Sequence, residues 1–321
     1  MCSILEKIRL FGIIPVIKID NANDAVPLGK ALIEGGLPVA EITFRTAAAE
    51  NAIKNICYHH PSVLVGAGTV TSVEHVKRAI DAGAKFIVSP GFNPPVVDFC
   101  VSNNIAIIPG CSNPTDIELA LQCGLDAVKF FPAEAFGGLA TLKAMSAPYS
   151  MMRFVPTGGI GPENLNNYLS FEKVIACGGS WMVKDELIRA GRFDEITRLV
   201  REAVSLMLGF DIAHVGINAE NDEESFEIAN RFANIFNMPV KQGNTSNFAG
   251  TVIEACKGAG PGKNGHIAIK TNSIDRAVAY FDRIGVQVDM DTAKRFENGS
   301  IAAVYLKEEI GGFAVHLMQK K

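Results

Sequence analysis

Between Gly12 and Trp181 one pattern recurs eight times: a short apolar run, a stretch with helical period, then a turn marked by glycine or a breaker. The apolar runs are Ile13–Ile19, Pro38–Ile42, Val63–Gly66, Lys85–Val88, Ile105–Ile108, Asp126–Phe130, Arg153–Val155 and Lys173–Cys177. The helical stretches end at Gly35-Gly36, Gly83 and Gly124, where glycine suits the left-handed position after a helix. Others start at Asn93-Pro94-Pro95, Asn113-Pro114-Thr115-Asp116 and Gly161-Pro162-Glu163, since proline in a first turn gives up an N–H that would be unpaired anyway. Eight strand-helix units predict a (β/α)8 TIM barrel, an α/β fold, at the small end of its size range. Its last helix is expected at Phe193–Leu208, which bounds a first domain at residues 1–208. An open α/β sheet of six or seven units is the structural alternative.

Composition narrows the function classes. The 321 residues suffice for two domains, and 48% hydrophobic with 20% charged residues is ordinary globular usage. A net charge of -4 offers no basic field to nucleic acid or to a membrane surface, so neither is an expected partner. No stretch approaches the ~20 apolar residues of a membrane span. From Met1 to Asp20 there is no signal-peptide layout, because Glu6, Lys7 and Arg9 interrupt the apolar run. The seven cysteines, Cys2, Cys57, Cys100, Cys111, Cys123, Cys177 and Cys256, are scattered and never form Cys-x-x-Cys. That usage predicts a reducing, cytoplasmic setting and no zinc cluster built on cysteine.

The segment Asp126-Ala-Val-Lys129-Phe-Phe-Pro132-Ala-Glu134 carries the chemistry. Strand alternation puts Ala127, Lys129 and Phe131 on one side. An amine among apolar neighbours is costly to keep charged, and in its neutral form it can attack a ketone to give a Schiff base. Barrel enzymes work at the carboxyl ends of their strands. There the second strand offers Glu41, Thr43 and Arg45 on one face, and the third offers Gly66-Ala-Gly68-Thr69. The seventh and eighth end in Pro156-Thr157-Gly158-Gly159-Ile160 and Gly178-Gly179-Ser180-Trp181. Each has a plainer reading alone: a snorkelling lysine, a paired surface carboxylate, a solvated arginine, a simple glycine turn. Together they supply an amine nucleophile, a carboxylate base and a guanidinium suited to a carboxylate. They also supply backbone N–H groups in the two loops where barrels bind phosphate. The implied ligand is a 2-keto acid with a phosphate at its far end.

Residues from about Gly12 to Val204 resemble the KDPG/KHG aldolases, class I enzymes that cleave 2-keto-3-deoxy-6-phosphogluconate (KDPG) and 4-hydroxy-2-oxoglutarate (KHG). The matching motifs are Glu41-Ile-Thr-Phe-Arg45-Thr46, Gly66-Ala-Gly-Thr-Val70, Lys129-Phe-Phe-Pro-Ala-Glu134, Pro156-Thr-Gly-Gly-Ile160 and Gly178-Gly-Ser-Trp181. The resemblance implies Lys129 as the Schiff-base lysine and Glu41 as the general base. It implies that Arg45 and Thr69 hold the pyruvyl carboxylate, that Gly158, Gly159 and Ser180 bind phosphate, and that Pro132 and Gly179 complete the substrate contacts. It further implies no cofactor beyond the covalent lysine, 2-keto acid substrates and a homotrimer. An enzyme for the galactonate-derived epimer of KDPG is the competing reading. Asn113 departs from the threonine common in the family, and both can cap a helix. Cys111, near the barrel mouth, reads as a bystander thiol.

After Gly209 the pattern changes. Asp211–Asn218 reads as a strand, Glu223–Phe236 as a helix and Phe248–Lys257 as a strand. The plan then recurs in Gly265–Lys270, Ser273–Ile284, Ala302–Lys307 and Gly312–Met318. Residues 209–321 are thus expected to form a smaller α+β domain of two duplicated βαβββ-like modules. The glycine-rich connection Gly258–Gly265 precedes a strand and lacks Gly-Lys-Ser/Thr, so it is not a phosphate loop. The duplicated plan resembles the vicinal oxygen chelate (glyoxalase-like) fold. That resemblance implies a divalent metal held at His214, Glu254, His266 and His316, with His316 standing where the family usually has glutamate. Under this reading the second domain is an accessory or contact module, or alternatively the working part, a metal-dependent lyase or ligand-binding module.

Overall fold

The computed structural model describes residues 3–320. It divides into two compact units, one running to Met207 and one starting at Leu208.

The first unit is a ring of eight parallel strands: β1 (Ile13–Ile17), β2 (Val39–Thr43), β3 (Leu64–Gly68), β4 (Phe86–Val88), β5 (Ala106–Ile108), β6 (Ala127–Phe130), β7 (Arg153–Pro156) and β8 (Cys177–Gly179). Six of them pair in the order β5-β4-β3-β2-β1-β8, and β6 pairs with β7. Bridges at Gly110–Lys129 and Thr157–Gly178 join the two groups on both sides and close the ring. Both faces of such strands are covered, so they read as continuous apolar runs rather than alternating ones. The helices bury one stripe each. In Ala25–Glu34 the buried set is Ala25, Leu28, Gly29, Ala31 and Leu32, at the spacing of one helical face. Burying each leucine contributes about 1.5–3 kcal/mol. Asn93 and Asn113 cap their helices as the sequence suggested, each accepting a backbone N–H three residues on.

The barrel departs from the sequence reading at two places. The eighth run, Lys173–Cys177, is not the eighth strand. Val174 makes a single bridge to Phe154, and the strand that pairs with β1 is Cys177–Gly179, Ile13 lying opposite Cys177. The Lys173 side chain is spent on the carbonyls of Ser146 and Tyr149. The helix expected from Gly161-Pro162-Glu163 starts only at Leu165, because Asn164 ties down the preceding turn by accepting the Gly161 N–H and donating to the Gly159 carbonyl.

The second unit is one eight-stranded sheet in the order β10-β11-β12-β9-β13-β16-β15-β14. Its strands are β9 (Asp211–Asn218), β10 (Val240–Gln242), β11 (Ser246–Ala249), β12 (Ile253–Cys256), β13 (Gly265–Thr271), β14 (Val288–Arg295), β15 (Ile301–Ile310) and β16 (Phe313–Gln319). Each half is a strand, a helix and three strands, and the halves meet antiparallel at β9 and β13. The expected single strand Phe248–Lys257 is two strands, β11 and β12, folded back through a turn at Gly250, whose φ is +60°. The helix Asp222–Phe236 is capped by Asn221 and fixed to one face of the sheet by Ser225, whose hydroxyl donates to the Ala255 carbonyl at 2.7 Å. Alternation then turns Glu254 and Cys256 to the opposite face.

Candidate active site

In the barrel, β2 and β6 each carry one ionisable group into the interior. Glu41 is 2% exposed and Lys129 is 6% exposed. Lys129 Nζ lies 3.5 Å from Glu41 Oε1. The strand around Lys129 is held on both sides. Its N–H donates to the Pro109 carbonyl and its carbonyl accepts the Cys111 N–H, both at 2.8 Å. On the other side it stands in register with Val155. Space for the carboxylate comes from Gly68, opposite Thr43 on β3, where a Cβ would lie 2.2 Å from Glu41 Oε1.

Just beyond the strand ends, Arg45 Nε donates to Thr69 Oγ1 at 3.2 Å. Thr69 holds a φ of +57°, costly for a β-branched residue and a mark of functional sites. Arg45 is exposed, whereas Thr43 below it is buried and donates its hydroxyl to the Ile17 carbonyl at 2.9 Å. A cavity of about 230 Å³ opens here, lined by Arg45, Thr157, Gly158, Gly159, Gly179 and Ser180 among others. Phe131 shares its wall, and the Phe131 ring centre is 5.1 Å from Lys129 Nζ. Gly158 and Gly159 have φ of +97° and +80°, so their backbone shape requires glycine. A Cβ on Gly158 would come within 3.2 Å of Pro132 Cα, which seats the segment after Lys129 directly against this loop. The Ala133 and Glu134 N–H groups donate to the Thr157 and Gly158 carbonyls. Glu134 in turn accepts the hydroxyl of buried Tyr168; burial first, then this carboxylate, pushes that phenol upward.

Every barrel residue singled out from the sequence therefore lies in this end of the ring. Two charged residues in the cavity wall were missed, Lys18 and Asp185, and Thr157 was read only as part of its motif. Lys18 Nζ sits 2.9 Å from Asp20 and 3.6 Å from Asp185. Its signal was available, since it is a cation closing an apolar run, as Lys129 does. Cys111 is 1% exposed, and burial, then Asp116, drives its thiol far above the usual range. It is unsuited to act as a nucleophile.

The KDPG and KHG aldolase family model matches residues 4–199. The chain belongs to this family. It is therefore a class I aldolase, a carbon–carbon lyase. The Haemophilus influenzae 2-dehydro-3-deoxy-phosphogluconate aldolase is 48% identical over 205 residues, covering 64% of this chain and 97% of that protein. The Escherichia coli KHG/KDPG aldolase is 43% identical over 192 residues, covering 60% of this chain and 90% of its own length. Among solved structures, the Legionella pneumophila KDPG aldolase, with pyruvate captured as a covalent carbinolamine, superposes with a TM-score of 0.58 at 37% identity, covering 60% of this chain and 95% of that one. These matches leave the second unit of the aldolase unaccounted for.

That unit has its own cluster. His214, His266 and His316 offer ring nitrogens within 4.8 Å of one another. Glu254 Oε2 lies 3.0 Å from His214 Nε2 and 3.4 Å from His266 Nε2. The four residues come from β9, β12, β13 and β16, the central strands of the sheet, and share one face. Ser246 donates to Glu254 Oε1 at 2.5 Å, which leaves Oε2 for the imidazoles. Burial alone would raise the Glu254 carboxyl, but hydrogen bonds from His214, His266 and Ser246 outweigh it and hold it well below the usual range. His316 is driven down to about 4, by burial first and then by the two neighbouring imidazoles. Gly216 completes the cradle: a Cβ there would stand 2.1 Å from the His266 ring. Among the described residues, the buried Nδ1 of His266 and both ring nitrogens of His316 find no partner of good hydrogen-bond geometry. His214 Nε2 and His266 Nε2 face each other at 3.1 Å beside Glu254, and three imidazoles and a carboxylate converging in this way match the donor chemistry of a first-row divalent ion.

Proposed function

We propose that the barrel cleaves KDPG to pyruvate and glyceraldehyde 3-phosphate, and KHG to pyruvate and glyoxylate, with Lys129 as the Schiff-base residue. The observation that carries this is the buried Lys129–Glu41 pair beside a cavity with a guanidinium on one wall and glycine loops on the other. The amine attacks the C2 ketone and, after loss of water, gives an iminium. Glu41 takes and returns the protons of that dehydration and accepts the C4 hydroxyl proton. The C3–C4 bond then breaks, its electron pair flows into the iminium, and the aldehyde leaves. Protonation of the enamine at C3 and hydrolysis release pyruvate and restore the lysine. Arg45, braced by Thr69, pairs with the carboxylate of the keto acid. Gly158, Gly159, Gly179 and Ser180 receive the phosphate, with Lys18 as a further cation on the same wall. Pro132 fixes the loop contact. A cytoplasmic homotrimer is part of the same reading, and light scattering of the purified chain checks the trimer.

The test is pyruvate release from KDPG, from its galactonate epimer and from KHG. We expect KDPG to exceed the epimer in kcat/KM. An enzyme that releases pyruvate from none of the three would end the proposal. Arg45→Ala should raise KM for every 2-keto acid by about 10–100-fold, the loss of one charged hydrogen-bonding partner. An unchanged KM would remove Arg45 from the carboxylate site.

The histidine cluster supports a second reading for the second unit: a divalent metal held by His214, His266, His316 and Glu254. When bound, such an ion would act as a Lewis acid toward oxygen ligands. Ser246 positions the Glu254 carboxylate. Ser246→Ala should weaken metal binding about 10–100-fold, measured by chelator competition, with Ser246→Thr restoring most of it. Equal affinities in all three proteins would show that Ser246 does not position the ligand.

A further inference from the structure

The metal cluster has three imidazoles and a single carboxylate. Among the described residues, no second carboxylate joins it. The position that the fold resemblance would give to glutamate is His316, 7% exposed, packed against Tyr305 with ring centres 4.7 Å apart and the planes tilted by 31°. Strand register shows what else shares the face. Gly216 and Ala314 stand beside His266, Ala268 beside His214 and His316, and Tyr305 opposite His316. All four are uncharged. The other acids that register puts on this side are Asp211, set opposite the cation Lys270 at the end of β9, Asp289 on β14 and Glu309 at the far end of β15, and Asp211 and Glu309 are exposed. Strands spaced about 4.8 Å apart put Asp289, on a strand two removed from β16, on the order of 10 Å from the His316 position.

Imidazole ligands bind neutral, so a divalent ion with Glu254 as its one anionic ligand keeps a net charge of about +1. A set with two carboxylates would be neutral. Four protein donors close a tetrahedral ion, whereas a first-row ion that takes five or six ligands leaves room here for an outside one. We propose that the second unit is an anion-selective centre that takes a small monocarboxylate, the chemical class to which the aldolase's own 2-keto acid product belongs, and that His316 sets this preference. The inference rests on the metal reading above. Screening by bulk water is weak at this buried cluster, so one unit of charge decides between an anion and its neutral isostere.

The test uses the full chain loaded with Co(II), whose visible spectrum reports only ligands reaching the metal. Acetate and pyruvate are titrated against acetamide and methylglyoxal at fixed ionic strength. Both anions should shift the spectrum at concentrations at least about tenfold below the neutral compounds. His316→Glu should still take Co(II) but lose that margin. The wild-type comparison stands alone if the variant fails to fold. Co(II) that binds but responds equally to acetate and acetamide would overturn the inference and leave the metal site intact. Failure to take up Co(II) at all would overturn the metal reading and this inference with it. Acetate cannot form a Schiff base, so its effect is separable from chemistry at Lys129.

Discussion

Lys129→Ala should lose about 10⁴–10⁶-fold in kcat for every 2-keto acid, the scale reached when a covalent nucleophile is removed. Borohydride added with pyruvate should trap a stable adduct on the wild-type peptide that contains Lys129, and none in the variant. The assignment fails if the adduct maps to another lysine, or if the variant keeps more than about 1% of activity. A stability change should accompany the loss. Lys129 and Glu41 are both buried, so removing the amine strands a carboxylate with no cation beside it. Breaking a buried pair from one side costs on the order of 3 kcal/mol, which for a barrel of this size lowers Tm by roughly 6–12 °C. The double variant Lys129→Met/Glu41→Gln should recover much of that Tm and none of the activity. Activity and stability then move independently, which a purely structural lysine would not allow.

The sequence made some features legible for a physical reason. Barrel strands are covered on both faces, so each is an unbroken apolar run, and a charge inside one stands out. That is why Glu41 and Lys129 could be picked from a single chain. β8 was misplaced by a few residues because Gly178 and Gly179 carry no strand-forming side chain. Their reason for being glycine lies elsewhere: a Cβ would strike Thr157 Oγ1 at 2.4 Å in one case and the Trp181 ring at 1.9 Å in the other. In the second unit, β10 and β14 went unread because they are edge strands. Val240–Gln242 is exposed throughout, and Val288–Arg295 is rich in charge, as edges commonly are. The four candidate ligands were found only through the resemblance of the duplicated plan to the vicinal oxygen chelate fold. Their convergence depends on β9 and β13 pairing antiparallel, which no local pattern encodes. Lys18 was read as part of a strand, and its partner Asp185 lies far along the chain, so their meeting is a product of ring closure.

The second large effect separates proton transfer from covalent attachment. Glu41→Gln should lower kcat by about 10²–10⁴-fold while borohydride still traps pyruvate on Lys129, more slowly, because the amine remains. Gly68→Ala tests the same carboxylate without touching it. The added methyl would sit 2.2 Å from Oε1 and 2.7 Å from Cγ, and Gly68 is flanked by backbone already paired to β2. The carboxylate must therefore move. A displacement near 1 Å costs on the order of 10²-fold in a positioned site, so Gly68→Ala should fall between wild type and Glu41→Gln in kcat. Gly91→Ala is the control, since a Cβ there meets nothing within 4 Å, and it should stay within about twofold of wild type. If Gly68→Ala matches Gly91→Ala, the position of Glu41 does not limit the reaction. Thr157 and Lys18, both in the cavity wall, are then the next groups to test for proton transfer.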